Sequence, residues 1–288
     1  MASIQEYLDK MKEIQTKLLN FLEDEAGSEI KYQELIQIFE NQNILDNITE
    51  LKSFLHLFLQ VSNNYHQTSN FYDKIEKILQ YFKNDLSKYF SNQEIFKFFK
   101  SNKRIILYFI KENIFKFNYF IFNKMLNYGE RSYYLPEIKE FMNPQDYQTK
   151  LQKIPENFEH LRQIGANNSY ISKLIREDSI NDFILYLNQE NIPVSSKIPT
   201  SIFETNEFLI KQKETNLIEY AAFYGSVKIF KYLQINDAEI TPSLFMYAIH
   251  GKNAEIIHLI EDCNLKIDAN TYLKFYEEAI KCHHNDIA

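Results

Sequence analysis

The chain has 288 residues, 45% of them hydrophobic and 25% charged, with a net charge of −7, which is enough to bury a full-sized core in one or two domains. Small disulfide-rich, collagen-like and disordered classes are excluded. Only 5 Gly and 6 Pro are present, so the turn chemistry of sheets and phosphate-cradling loops is scarce, and neither an all-β protein nor a dinucleotide-binding α/β enzyme is expected.

Before Pro136 there is no proline, and only Gly27 and Gly129 interrupt a helical pattern, so the first 128 residues are expected to be an array of helices. The first runs from about Ser3 to Leu22, with Ser3 and Glu6 at capping-box spacing. Its apolar stripe of Ile4, Tyr7, Met11, Ile14, Leu18 and Phe21 suits either the next helix or a short coiled coil. Further helices are expected over Tyr32 to Phe39, Ile44 to Val61, Phe71 to Phe90, Gln93 to Lys100, Lys103 to Lys111 and Phe115 to Leu126. The pairs Asn63-Asn64, Asn84-Asp85, Ser91-Asn92 and Ser101-Asn102 supply caps and turns between them without glycine. Gly129, Pro136, Pro144, Pro155 and Gly165 then concentrate helix breakers, so residues 129–165 form a junction with short helices such as Leu135 to Met142.

The C-terminal third repeats. Residues 220–233 (Tyr220, Ala221, Ala222, then Gly225 and Val227 to Leu233) align with 247–260 (Tyr247, Ala248, then Gly251 and Ala254 to Ile260). A third copy starts at Glu278-Ala279-Ile280 and is cut short at Ala288, and a fainter second helix stands at Ser179 to Leu187. These residues resemble ankyrin repeats, whose core runs Thr-Pro-Leu-x-x-Ala-Ala-x-x-Gly-x-x-x-x-Val-x-x-Leu. The first copy matches at Thr215, Leu217, Ala221, Ala222, Gly225, Ile229 and Leu233, the second at Thr241, Pro242, Leu244, Ala248, Glu255, Ile256 and Leu259. The stretch Leu217 to Gly225 further resembles a divergent ankyrin-like domain of unknown function that is expanded in some parasitic protists. The resemblance implies stacked helix pairs in which Ala221, Ala248 and Ala279 occupy equivalent buried positions. The alanine spacings of 27 and 31 residues fall short of the usual ankyrin period of about 33. The difference lies after Leu233, where Gln234 to Ile240 is too short for the β-hairpin finger, and Lys252 stands where a turn glycine is usual.

No nucleophile elbow or phosphate loop is present, and the paired carboxylates lie on polar faces. Six of the nine His and Cys residues fall in the last 39 positions: His250, His258, Cys263, Cys282, His283 and His284. They form neither a Cys-x-x-Cys nor a His-x-x-x-His pair, so no metal or other cofactor is expected. From Lys74 to Lys124 there are eleven basic residues against four acidic ones, and Lys97, Lys100, Lys103 and Arg104 interleave with aromatics. That segment offers an alternative as a nucleic-acid or anionic-surface site. The periodicity of Ile95, Phe96, Phe99, Ile106 and Phe109 assigns the aromatics to core, with the lysines as solvated edges.

The expected fold is therefore all-α, a helical-hairpin solenoid with residues 1–128 as the N-terminal array and divergent ankyrin-like repeats over 166–288. The expected function is binding of a protein partner, without enzymatic activity. The repeat register points to Phe223, Tyr224, Asn236, Asp237, His250, Lys266 and Asp268 as contact residues, with Phe223 and Tyr224 as exposed aromatics. An apolar C-terminal face is expected around Tyr272, Phe275 and Ile280. Two cysteines and no hydrophobic leader suggest the cytosol, and charges at Lys111, Glu112, Lys116 and Lys124 rule out a membrane span in the most apolar stretch.

Overall fold

The structure, a computed structural model, describes residues 4–24, 29–65, 70–125, 128–212, 214–284 and 287, with the main chain alone at 128–130. Among these residues there are nineteen α-helices, a short 3-10 turn and no strand, apart from a single bridge between Lys197 and Asn216. None of the helices is long and apolar enough to cross a membrane. The chain divides into two compact units, residues 1–62 with 67–116, and residues 63–66 with 117–288.

The first unit holds α1 (Ile4–Glu23), α2 (Glu29–Asn41), α3 (Ile48–Asn64, whose last two residues count with the second unit), α4 (Phe71–Tyr81), α5 (Lys83–Tyr89), α6 (Asn92–Phe99) and α7 (Lys103–Lys111). Helix α1 packs on α2 and α4 through Ile14, Leu18, Phe21 and Leu22, while Ile4 at the start of its stripe is exposed. The proposed cap at Ser3 lies outside the described residues. The single helix expected over Phe71 to Phe90 is two. The chain turns at Phe82, whose ring is buried 5.1 Å from Phe39 and 4.9 Å from Phe54, so an aromatic contact overrides the local helical pattern. Asn84 and Asp85, expected in a connection, therefore lie inside α5. Ser91 caps α6 in a reciprocal box with Glu94, and Asn102 caps α7 by accepting from the Ile105 N–H at 3.1 Å, so polar side chains start these helices without glycine.

The second unit begins with short helices: α8 (Tyr119–Lys124), α9 (Tyr128–Tyr133), α10 (Pro144–Leu151) and α11 (Phe158–Ile164). Asn118 caps α8, accepting from Ile121 N–H at 2.9 Å, so the helix starts four residues later than the expected Phe115; Leu126 lies outside the described residues. Leu135 to Met142 is not a helix: the segment forms turns, and only Lys139–Phe141 makes a 3-10 turn. The buried Arg162 ties this region together, donating to the Tyr133 carbonyl at 3.1 Å and to the Glu137 and Glu159 carboxylates at 2.7–2.8 Å.

Beyond it come α12 (Tyr170–Arg176), α13 (Ile180–Glu190), α14 (Glu207–Lys211), α15 (Leu217–Tyr224), α16 (Val227–Ile235), α17 (Leu244–Gly251), α18 (Ala254–Glu261) and α19 (Ala269–Lys281). Three of these helices pair with their chain neighbours: α12 with α13, α15 with α16, and α17 with α18. The first members also pack in succession, α12 on α15, α15 on α17 and α17 on α19, and the second members do likewise, α13 on α16 and α16 on α18. One hydrophobic core runs through α12–α18, and a smaller cluster of Ile249, Ala279 and Cys282 joins α19 to α17. Ala221, Ala248 and Ala279 are all buried, one on each of α15, α17 and α19. Their small side chains let helix backbones approach, and the aliphatic residues Ile229, Leu233, Ile256 and Ile260 fill the second row.

Candidate functional site

Polar side chains cap the starts of several of the helices α12–α19. Asn216 N–H donates to Glu219 Oε2 at 2.8 Å at the start of α15, and Gly225 ends that helix in the left-handed region at φ +68°. Asn253 starts α18, its Oδ1 accepting from Ile256 N–H at 3.1 Å. Asp268 starts α19, accepting from the Asn270 and Thr271 N–H groups at 2.9 and 3.0 Å. The Thr271 hydroxyl, donating to Asp268 Oδ2 at 2.8 Å, and these N–H groups hold the Asp268 carboxyl below its usual range.

The expected contact residues separate into two groups. Asn236, Asp237, Lys266 and Asp268 are exposed in the connections that follow α16 and α18. No strand forms in the first connection, in line with a segment too short for a hairpin. Phe223, Tyr224 and His250 are not exposed, contrary to the expectation. Phe223 is half-buried, its ring parallel to Phe208 at 5.9 Å and 5.4 Å from His250. Tyr224 packs 4.7 Å from Tyr220 and 5.9 Å from the Arg176 guanidinium, and burial pushes its hydroxyl well above the usual range. His250 is 4% exposed, 4.2 Å from the Phe208 ring. For Phe223 and His250 the physical reason is α14, which carries Phe208 against them and which the sequence pattern did not reveal.

The accessible apolar surface lies instead on α19. Tyr272, Leu273, Tyr276 and Ile280 are 59%, 55%, 50% and 45% exposed, respectively. Two of the three residues expected on this face, Tyr272 and Ile280, are among them, whereas Phe275 is half-buried against Phe245 with ring centroids 5.2 Å apart. Beside them opens a cleft of about 450 Å³, bounded by Ile257, Ile260 and Glu261 of α18, Leu265 and Ile267 of the following connection, and Tyr276. Lys266 and Asp268 lie in this same connection.

In the first unit, several of the basic residues are held by partners of the same unit. Lys74 is buried and donates to the Leu22 and Asp24 carbonyls at 2.7 and 2.8 Å, Lys77 pairs with Glu29 at 2.5 Å, and Lys83 pairs with Glu112 at 2.7 Å. Of the four residues singled out in the sequence, Lys97 and Lys100 are exposed, Lys103 is half-buried, and Arg104 lies 3.4 Å over the Tyr72 ring. Phe96 and Phe99 are buried and Phe98 packs 4.2 Å from His56, so the interleaved aromatics serve the core.

The C-terminal His and Cys residues divide as well. His258 is exposed and pairs with Glu261 at 2.9 Å; the Cys263 thiol donates to the Leu259 carbonyl at 3.3 Å; buried His284 has Nδ1 2.8 Å from the Ile249 carbonyl. His283 is half-buried, and burial lowers its ring below the usual range. His250 and Cys282 come together with Glu278, a residue outside the set that the sequence suggested. His250 Nε2 lies 2.8 Å from Glu278 Oε1, and Cys282 Sγ lies 3.7 Å from the same nitrogen. Burial drives the His250 ring below its usual range and the Cys282 thiol above its own. Burial also works to raise Glu278, but hydrogen bonds from His250 and Lys281 outweigh it and keep the carboxyl low. The only sequence signal for Glu278 is its four-residue separation from Cys282, which puts both on one helix face.

Comparison with known proteins finds no family model, no curated protein and no solved structure that matches this chain.

Proposed function

We propose that the chain is a non-enzymatic interaction module, a divergent ankyrin-like array that binds a protein partner at its α18–α19 end. Two rows of successively packed helices, with alanines buried on α15, α17 and α19, support the repeat reading. The observation that carries the binding reading is the α19 row of Tyr272, Leu273, Tyr276 and Ile280 beside the cleft. Large apolar and aromatic side chains grouped in this way mark interaction surfaces, whereas isolated ones are ordinary. An apolar helix face of the partner would lie along α19, anchored on the tyrosines and the cleft. Because α19 is packed on α17, little ordering cost falls on this side of the complex.

The test places a photo-crosslinking residue at position 276 in the full chain, with position 97 as the comparison, in extracts of the source cells. A discrete protein adduct from 276 that disappears in Tyr272→Glu supports the reading. Adducts to nucleic acid from position 97, with none from 276, would overturn it in favour of the basic segment. Tyr272 is 59% exposed, so its replacement is expected to leave the fold intact.

A further inference from the structure

We propose that His250, Glu278 and Cys282 form a zinc site that fastens α19 to α17. Glu278 and Cys282 stand one turn apart on α19, and His250 reaches them from the end of α17. One donor atom from each lies within 4.8 Å of the other two. Zinc bonds of about 2.0–2.3 Å in tetrahedral geometry set ligand atoms about 3.3–3.8 Å apart. Cys282 Sγ lies 3.7 Å from His250 Nε2, within that range, but 3.5 Å from Nδ1, so the ring must turn to aim Nε2 between Sγ and Glu278 Oε1, whose 2.8 Å separation from Nε2 opens by about half an ångström on carboxylate rotation.

The orientation of the ring is the second observation. His250 also donates a hydrogen bond to the Asn64 main chain, the arrangement that fixes the tautomer of a metal-bound histidine and leaves its other nitrogen free to ligate. The proton that joins Nε2 to Glu278 Oε1 in their hydrogen bond occupies the position between the two atoms. A metal ion can take that position in its place, and it also satisfies the buried sulfur.

The donor set selects the ion. An imidazole and a thiolate favour zinc over magnesium or calcium, which prefer oxygen alone. On binding, Cys282 forms the S–Zn bond and releases its thiol proton to solvent, so loading is tighter at higher pH. Three protein ligands leave the fourth position to water. Lys281 Nζ bonds Glu278 Oε1 at 2.8 Å, and its side chain, 40% exposed, can swing into solvent as the ion enters.

Cobalt(II) added to the metal-free full-length chain is the probe. One equivalent is expected to give a thiolate-to-cobalt charge-transfer band together with the strong visible bands of four-coordinate cobalt, and zinc is expected to displace it. The spectrum should survive in Cys263→Ser, since that thiol lies elsewhere, and lose the charge-transfer band in Cys282→Ser. His250→Gln and Glu278→Gln should each weaken cobalt binding by tenfold or more. No thiolate band in the wild-type chain, or a band that persists in Cys282→Ser, overturns the proposal whatever the stability of the other variants. Partner crosslinking from position 276 is read separately, so either idea can fail alone.

Discussion

Gly251 on α17 sits so close to the Ala222 carbonyl of α15 that a β carbon added to it would stand 2.4 Å from that oxygen and 3.0 Å from the Phe223 carbonyl. Both obstacles are main chain, which cannot rotate away as a side chain could. Gly251→Ala is therefore expected to force α15 and α17 apart and to lower unfolding free energy by about 1–3 kcal/mol. Urea unfolding of the two proteins checks this, and an unchanged midpoint would mean that the two helices are not in such close contact.

Lys252 follows at φ 47°, a left-handed conformation that costs a residue with a β carbon about 1–2 kcal/mol. Its ammonium lies 5.6 Å from the Tyr65 ring, a cation–π contact worth about 0.5–1 kcal/mol. The relief of backbone strain is the larger effect, so Lys252→Gly is expected to stabilise the protein by up to about 1 kcal/mol. The thermal midpoint should rise. The matching change at Gly225, which has φ +68°, should run the other way: Gly225→Ala lowers the midpoint.

Asp178 caps a helix of the next pair. Its carboxylate accepts from the Lys228 and Ile229 N–H groups of α16 at 3.1 and 3.0 Å, beside a bond from Ser226 Oγ to the Ile175 carbonyl at 2.5 Å. Asp178→Ala removes the cap and also strains alanine at φ 46°, for an expected loss of about 1–2 kcal/mol. Asp178→Asn tolerates that backbone conformation and keeps one acceptor, so it should lose less. Equal losses for the two variants would show that the cap does not matter.

Glu204 gives a pH dependence. Burial pushes its carboxyl above the usual range, against N–H bonds from Asn167, Thr205 and Asn206 at 2.9–3.2 Å and the charge of Arg176, which favour the ionised form. The folded state then holds the proton more tightly than the unfolded state. This contribution to stability is fully present below the ordinary carboxylate range and is lost as pH rises through the raised native value. In Glu204→Gln the slope should vanish. A constant offset remains, because an amide NH₂ now faces one of the backbone donors. Stability measured by denaturant from acidic to neutral pH distinguishes the two, and parallel curves would reject the assignment.

The helix pairs around Ala221 and Ala248 were legible because the same residues that define their sequence pattern, small side chains and a glycine after the first helix, are those that let backbones meet. The break at Phe82 was not, since nothing local distinguishes it from the helical residues on either side; only its contacts with Phe39 and Phe54 do. The accessible site was half legible. Tyr272 and Ile280 were expected on the apolar face of the incomplete third copy, whereas Phe223 and His250, expected on the surface, are covered by Phe208 of α14, and Tyr224 by Tyr220 and Arg176. The metal-type cluster was hidden because His250 and Glu278 are 28 residues apart and meet only when α19 packs on α17.

The sequence by itself determined an all-helical chain and the start of several helices, such as α4 at Phe71 and α7 at Lys103, because periodicity, glycine scarcity and capping side chains act within a few residues of where they are written. Tertiary structure decided which side chains reach solvent and which donors converge. Those outcomes depend on distances between helices far apart in the chain, and a one-dimensional pattern does not contain those distances.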